Sequence, residues 1–167
     1  ENLLSLLDAL SALHGRFGHQ IVVSTHPRTR KRIEALDRYK PSSAIRFLKP
    51  FGFLDYNKLQ MESFCVVSDS GTISEESSII GFPAVTVRNA MERPEALDVG
   101  SIILTGLEAD AIVRAVDAIT RQYSAGARPP VPADYTITNV SQRVVNLILG
   151  TAKLSNLWDG VVFHDPS

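Results

Sequence analysis

The chain has 167 residues, 44% of them hydrophobic and 21% charged, with a formal net charge of -1; this is the profile of one soluble globular domain with a filled core. The balance supplies no field for nucleic acid or an anionic membrane, and a single cysteine excludes an internal disulfide. No apolar run approaches the ~20 residues of a membrane span and no signal-peptide pattern opens the sequence, so a cytoplasmic protein with neither a nucleic-acid nor a membrane partner is expected.

Apolar residues at Leu3, Leu4, Leu7 and Leu10 predict a helix over about residues 1–16, ending near Gly15 and Gly18. A strand follows at 20–24, then a basic helix from about 28 to 38 closed by Pro41. Residues 44–48 read as a strand, 55–61 as a short helix and 64–67 as an apolar strand containing Cys65, which is expected to be a small buried hydrophobe. A helix over 73–80 is stopped by Gly81 and Pro83. Strands at 84–87 and 101–104 precede a helix over 108–123, whose stripe of Ile112, Val113, Val116 and Ile119 faces a core. Residues 128–132 are a proline-rich surface crossing, and a last helix near 138–149 carries Val140, Val144, Val145 and Ile148.

Short apolar strands alternating with amphipathic helices indicate an α/β fold, a doubly wound parallel sheet covered on both faces. Ligands on such a sheet sit outside the carboxyl ends of the strands. Every unusual loop here follows a strand, namely Thr25 to Arg28, Phe51 to Phe53, Asp69 to Thr72 and Arg88 to Glu95, so all four are expected on one rim. The sequence opens within a helical pattern and without an initiator methionine, so it reads as a piece of a longer protein. The apolar tail of Leu154, Leu157, Trp158, Val161, Val162 and Phe163 needs a surface to cover, and a missing domain would supply one.

The run Asp69-Ser70-Gly71-Thr72-Ile73-Ser74-Glu75-Glu76 concentrates the chemistry. A strand that breaks into Ser-Gly-Thr and opens a helix aims backbone N–H groups at one spot, which suits a phosphate. Thr72 to Glu75 also fits a capping box, in which Thr72 caps the helix and Glu75 reaches back, with no ligand required. Ser70, Gly71 and Glu76 are not explained by a cap. Gly71 permits a positive φ or a close approach, Ser70 offers a hydroxyl, and Glu76 points differently from Glu75. Arg93 is the candidate phosphate cation, its planar fork matching phosphate oxygens. The alternative for Arg93 is a surface ion pair with Glu92 or Glu95, and Pro94 suits a first helical position. His26 before Pro27 is either a site residue or a structural hydrogen-bonder, and Arg28 to Arg32 read as a solvated helix face. His14, His19 and His164 lack metal-ligand spacing, so no metal is expected. Ser70 lacks the elbow of a serine hydrolase.

These residues resemble a known family. The run Asp69 to Thr72 through Glu75-Glu76, the spacer ending Gly81-Phe82-Pro83, then Arg88 and Glu92-Arg93-Pro94-Glu95 with Gly100 beyond, is similar to the C-terminal domain of the non-hydrolysing UDP-N-acetylglucosamine 2-epimerases. Ser24 to Arg28, Asp55 to Gln60, and Thr72 in place of a second glycine resemble the UDP-N-acetyl-L-fucosamine branch most, whereas Met91 stands where that branch commonly has His. Phe51 replaces a residue that is usually polar in the main branch.

The resemblance implies a Rossmann-like domain, the C-terminal half of a GT-B fold. It would span residues 1–150 including the final helix, with 151–167 an apolar tail and the N-terminal GT-B domain absent. Ser70, Gly71 and Thr72 would cradle the diphosphate, Glu76 would hold the ribose hydroxyls, Arg93 would contact the phosphates and Tyr56 would lie by the uracil. The family reaction eliminates UDP to a glycal and re-adds it with C2 inverted. No catalytic acid–base group is assigned within these residues. No cofactor is implied, because the UDP-sugar is the substrate. The partners implied are a UDP-N-acetylhexosamine, the missing N-terminal domain and a homodimer of the full-length protein, in synthesis of polysaccharide precursors. The donor half of a GT-B glycosyltransferase and a non-catalytic nucleotide-sugar sensor are the rival readings.

Overall fold

The computed structural model describes residues 2–36 and 42–160. The expected closure of the second helix at Pro41, residues Val161, Val162 and Phe163 of the tail, and His164 lie outside the described residues. The chain divides into two compact units, residues 1–132 and 133–167.

In the first unit, helix α1 (Asn2–Phe17) leads to strand β1 (Ile21–Ser24), helix α2 (Pro27–Glu34) and strand β2 (Ile45–Leu48). Helix α3 (Phe53–Glu62), strand β3 (Val66–Ser68), helix α4 (Ile73–Ile80) and strand β4 (Ala84–Thr86) follow, then helix α5 (Glu95–Asp98), strand β5 (Ile102–Leu104) and helix α6 (Ala109–Ser124). All ladders are parallel. β1 pairs with β2, and β3, β4 and β5 form a second sheet in that order. Ile21 of β1 packs against both hydrophobic clusters of the unit, so the two ladders share apolar surroundings.

β4 is the central strand of its sheet, and all three of its residues are buried. Val85 and Val87 pack with Ala9 and Leu13 of α1 and with Ile112, Ala115, Val116 and Ile119 of α6. Side chains alternate along a strand, so Ala84 and Thr86 turn to the opposite face. There α4 and α5 pack, completing the doubly wound arrangement. The inner face of α4 is small and polar. Ser78 Oγ lies 2.8 Å from Ser101 Oγ, and Ser101 Oγ donates to Ala96 O at 3.0 Å. These bonds satisfy the buried hydroxyls and tie α4 to the start of β5 and to α5.

Three expectations about elements change. The second helix ends at Glu34 rather than near 38; Ala35 caps it, and Leu36 turns in to pack on the cluster of Leu7, Leu10 and Ile45. The third strand occupies Val66–Ser68 rather than 64–67. Its ladder opens at Val66 opposite Ala84, and Pro83, which has no N–H, precedes that point. Phe64 instead stacks near the rings of Phe17 and His19. Helix α5, one turn long, was not expected; it is too short for a periodic pattern to reveal. Gly81 ends α4 as expected, in the left-handed conformation (φ 86°) that a side chain rarely adopts.

In the second unit a 3-10 helix (Ala133–Thr136) precedes α7 (Val140–Thr151) and α8 (Ser155–Trp158). Val140, Val144, Val145, Leu147, Ile148 and Leu149 of α7 are exposed.

Cys65, expected to be buried, is only partly so, because it sits at the edge of the main cluster, before the β3 ladder begins; what burial it has pushes its thiol up to about 12. Ellman's reagent at mildly alkaline pH should therefore leave it unmodified until urea unfolds the chain; rapid modification of the native chain would contradict its placement. Ile119, fully buried between α6 and β4, gives a second check: Ile119→Ala should cost about 2–5 kcal/mol in urea denaturation.

Candidate functional site

Parallel pairing brings the carboxyl ends of β3, β4 and β5 to one edge. Val87 N–H donates to Ser68 O at 3.1 Å and Thr105 N–H to Thr86 O at 3.0 Å, so the chain leaves all three strands in register. The loop after β3 turns at once: Ser70 N–H donates to Ser68 Oγ at 3.0 Å, and Thr72 N–H to Ser70 Oγ at 3.3 Å. Gly71 and Thr72 then open α4.

The capping box does not form. Thr72 has a helical backbone (φ -83°, ψ -7°), whereas a capping residue needs an extended one, and its hydroxyl makes no cap bond. Thr72 Oγ1 instead donates to Glu76 Oε1 at 2.7 Å and lies 3.0 Å from Ser70 Oγ. Glu75 does not reach back. Its Oε1 lies 2.7 Å from Arg93 Nε, while its Oε2 is buried with no hydrogen-bond partner among the described residues. Successive helical residues point about 100° apart, which sends one carboxylate to each side. Glu75 serves the loop after β4, and Glu76 serves α3, where Gln60 Nε2 donates to Glu76 Oε2 at 2.6 Å.

Gly71 uses its lack of a side chain for close approach, not for a positive φ. A Cβ there would lie 3.0 Å from Arg93 Nη1, 3.3 Å from Arg88 Nη1 and 3.8 Å from Glu92 Oε2. Two guanidinium groups therefore converge over one peptide unit at the start of α4. Arg93 Nη1 also donates to Gly71 O. The expected alternative partners of Arg93, Glu92 and Glu95, are not the ones used. Glu75 holds Arg93, and Glu92 pairs with Arg88, its Oε1 lying 2.6 Å from Nη2. Ion pairs as exposed as Arg88–Glu92 contribute about 0–1 kcal/mol, so an incoming anion can exchange for the carboxylate.

Of the residues singled out from sequence, Ser70, Gly71, Thr72, Glu76 and Arg93 are joined in one cluster. Tyr56 stands beside it. Burial first, then the charges of Glu76 and Asp69, raise its phenol above the ordinary value, while Gln60 acts the other way. His26 does not join: its Nδ1 accepts Arg28 N–H at 3.2 Å and caps α2. Arg28, Lys31 and Arg32 are exposed as expected, but Arg30 is not merely solvated, since its Nη2 donates to Phe47 O at 3.0 Å. Sequence reasoning missed Gln60, the Glu75–Arg93 pair and the Arg88–Glu92 pair. Gln60 follows Tyr56 by four residues, a spacing that places both on one face of α3. A separate groove lined by Phe64, Phe82, Pro83, Tyr123 and Arg128 lies at the opposite, amino ends of β3 and β4, and among the described residues no carboxylate lines it.

A family model described as UDP-N-acetylglucosamine 2-epimerase matches residues 1–149. The chain belongs to the UDP-N-acetylglucosamine 2-epimerase family. It is similar to the UDP-N-acetylglucosamine 2-epimerase of Methanocaldococcus jannaschii, 31% identical over 120 residues that cover 70% of this chain and 33% of that protein. Among solved structures, UDP-N-acetylglucosamine 2-epimerase from Rickettsia bellii is 42% identical with a TM-score of 0.79, covering 93% of this chain and 43% of that one. The Methanocaldococcus jannaschii UDP-GlcNAc 2-epimerase in complex with UDP-GlcNAc and UDP is 26% identical with a TM-score of 0.76, covering 89% of this chain and 41% of that one. The chain thus spans between 33% and 43% of the length of these family members. Their GT-B fold contains the Rossmann-like, doubly wound arrangement seen here.

The environment of Tyr56 can be read spectroscopically. In an ultraviolet pH titration, the step lost in Tyr56→Phe should have a midpoint above 10.0. Glu76→Gln, which removes a negative neighbour, should move that step down; an unchanged midpoint would separate Tyr56 from the cluster.

Proposed function

We propose that this chain is the UDP-binding, C-terminal part of a UDP-N-acetylhexosamine 2-epimerase, acting on UDP-GlcNAc and UDP-ManNAc or on a UDP-FucNAc-type pair in polysaccharide-precursor synthesis. The observation that carries the reading is the convergence of Arg93 and Arg88 over Gly71, one turn of helix from the Glu76 carboxylate. Guanidinium groups and the amino end of α4 together suit a diphosphate. Glu76 accepts from Thr72 and Gln60, and its remaining lone pairs suit the ribose hydroxyls. Tyr56 presents a half-buried ring beside Glu76 for the uracil. Relatives with UDP-GlcNAc bound, from Methanocaldococcus jannaschii and Neisseria meningitidis, support the choice of nucleotide.

On this reading the chain stabilises the departing diphosphate when UDP is eliminated. Positive groups held in place before the charge develops lower that barrier. The groups that move protons at C2 would come from the other, N-terminal part of a full-length enzyme. That part would also face the exposed apolar residues of α7 and α8. The chain alone should bind UDP and leave C2 unchanged.

A thermal-shift titration tests the reading. UDP at 100 times its dissociation constant should stabilise the chain by about 2.7 kcal/mol, a rise of roughly 5–10 °C for a chain of this size. Glu76→Ala and Arg93→Ala should each shrink that rise, measured against the variant's own ligand-free melting temperature. No shift of the unmodified chain at millimolar UDP would overturn the reading.

A further inference from the structure

We propose that Gln60 is a positioning residue of the site: its buried amide fixes the Glu76 carboxylate for the ligand's ribose diol, and the fold carries that amide at a cost to its own stability. The inference rests on the UDP-binding reading and deepens it.

Helix α3 inverts the usual pattern of a surface helix. Its one buried residue is Gln60, 3% exposed, whereas Phe53, Leu54, Leu59 and Met61 of the same helix are exposed. A buried position on such a helix ordinarily takes an apolar residue. Gln60 also leaves a polar atom stranded, because its Oε1 is buried without a hydrogen-bond partner among the described residues. Such an atom keeps the full cost of leaving water. Packing therefore does not explain a glutamine here. Departures of this kind from the local rules gather where function requires them.

The nitrogen end of the amide serves the site. Nε2 donates to Glu76 Oε2 at 2.6 Å. Gln60 also acts to lower the pKa of the Tyr56 phenol through a side-chain hydrogen bond, the effect of a donor that favours the phenolate. Thr72 Oγ1 donates to the other oxygen of Glu76 at 2.7 Å, so the carboxylate is gripped at both oxygens and its plane is fixed. Each oxygen keeps a lone pair, and a vicinal diol offers two donors to match them. Without Gln60, the exposed Thr72 alone would hold Glu76. The carboxylate could then turn before the ligand arrives, and ordering it would weaken binding.

Gln60→Met keeps an unbranched side chain of similar length and removes the stranded oxygen together with the donor. In thermal melting followed by circular dichroism, the variant should melt no lower than the unmodified 167-residue chain. By isothermal titration calorimetry it should bind UDP about tenfold more weakly, a difference of 1.4 kcal/mol. That loss should vanish without Glu76: placed on Glu76→Ala, Gln60→Met should change UDP affinity by less than about twofold. A lower melting temperature would make Gln60 a packing residue and overturn the proposal. So would an unchanged UDP affinity, or a loss that persists in full on Glu76→Ala. Failure of the unmodified chain to bind UDP would instead remove the UDP-binding reading, and this role of Gln60 with it.

Discussion

The candidate site depends on one missing atom. Gly71 carries no Cβ, and a Cβ there would come within 3.0 Å of Arg93 and 3.3 Å of Arg88. Without it, two guanidinium groups approach the peptide that opens α4. Like charges brought this close need compensation, and the chain provides it with two carboxylates from different elements, Glu75 of α4 and Glu92 of the loop after β4. Each pair is partly exposed and contributes little to stability. Their effect is positional: they hold positive charge at the edge where the strands end.

That edge exists because the sheet is parallel and buried. β4 can be central only if both its faces are covered, and Ala84, Val85 and Thr86 are small or branched enough for α4 to pack on one face and α1 and α6 on the other. The serine face of α4 matters for the same reason. Ser78 and Ser101 let the helix lie close to β5 and α5 with its hydroxyls satisfied, which fixes where its first turn points. The adjacent carboxylates Glu75 and Glu76 then fan out to opposite sides. One binds the arginine loop, and the other binds α3 through Gln60.

Much of this was legible in the sequence, and the exceptions have physical causes. Alternating strands and helices were visible because each element carries its own periodicity, as in the stripe of Ile112, Val116 and Ile119. The turn at Ser70-Gly71 and the stop at Gly81 were visible because glycine and serine mark backbone geometry directly. Partnerships were not visible. Whether Glu75 reaches back to cap α4 or across to Arg93 depends on where the loop after β4 is brought by the β3–β4 ladder, which local pattern does not encode. The same holds for Gln60, which reads as an ordinary helix residue until α3 lies against α4 and its amide meets Glu76. His26 shows the converse: a residue conspicuous in sequence is occupied by capping its own helix.

The chain belongs to the UDP-N-acetylglucosamine 2-epimerase family, and the proposed function gives these contacts a common purpose, that of gripping a uridine diphosphate at the end of a strand. On the proposed function, Gly71 keeps open the space in which the diphosphate meets both arginines. The most direct measurement is calorimetric titration of Gly71→Ala with UDP, beside circular-dichroism melting of the free variant. The added methyl meets only side-chain ends, those of Arg93, Arg88 and Glu92, so melting should change little, while UDP affinity should fall by about tenfold or more, at least 1.4 kcal/mol. UDP affinity equal to that of the unmodified chain would contradict this role of Gly71.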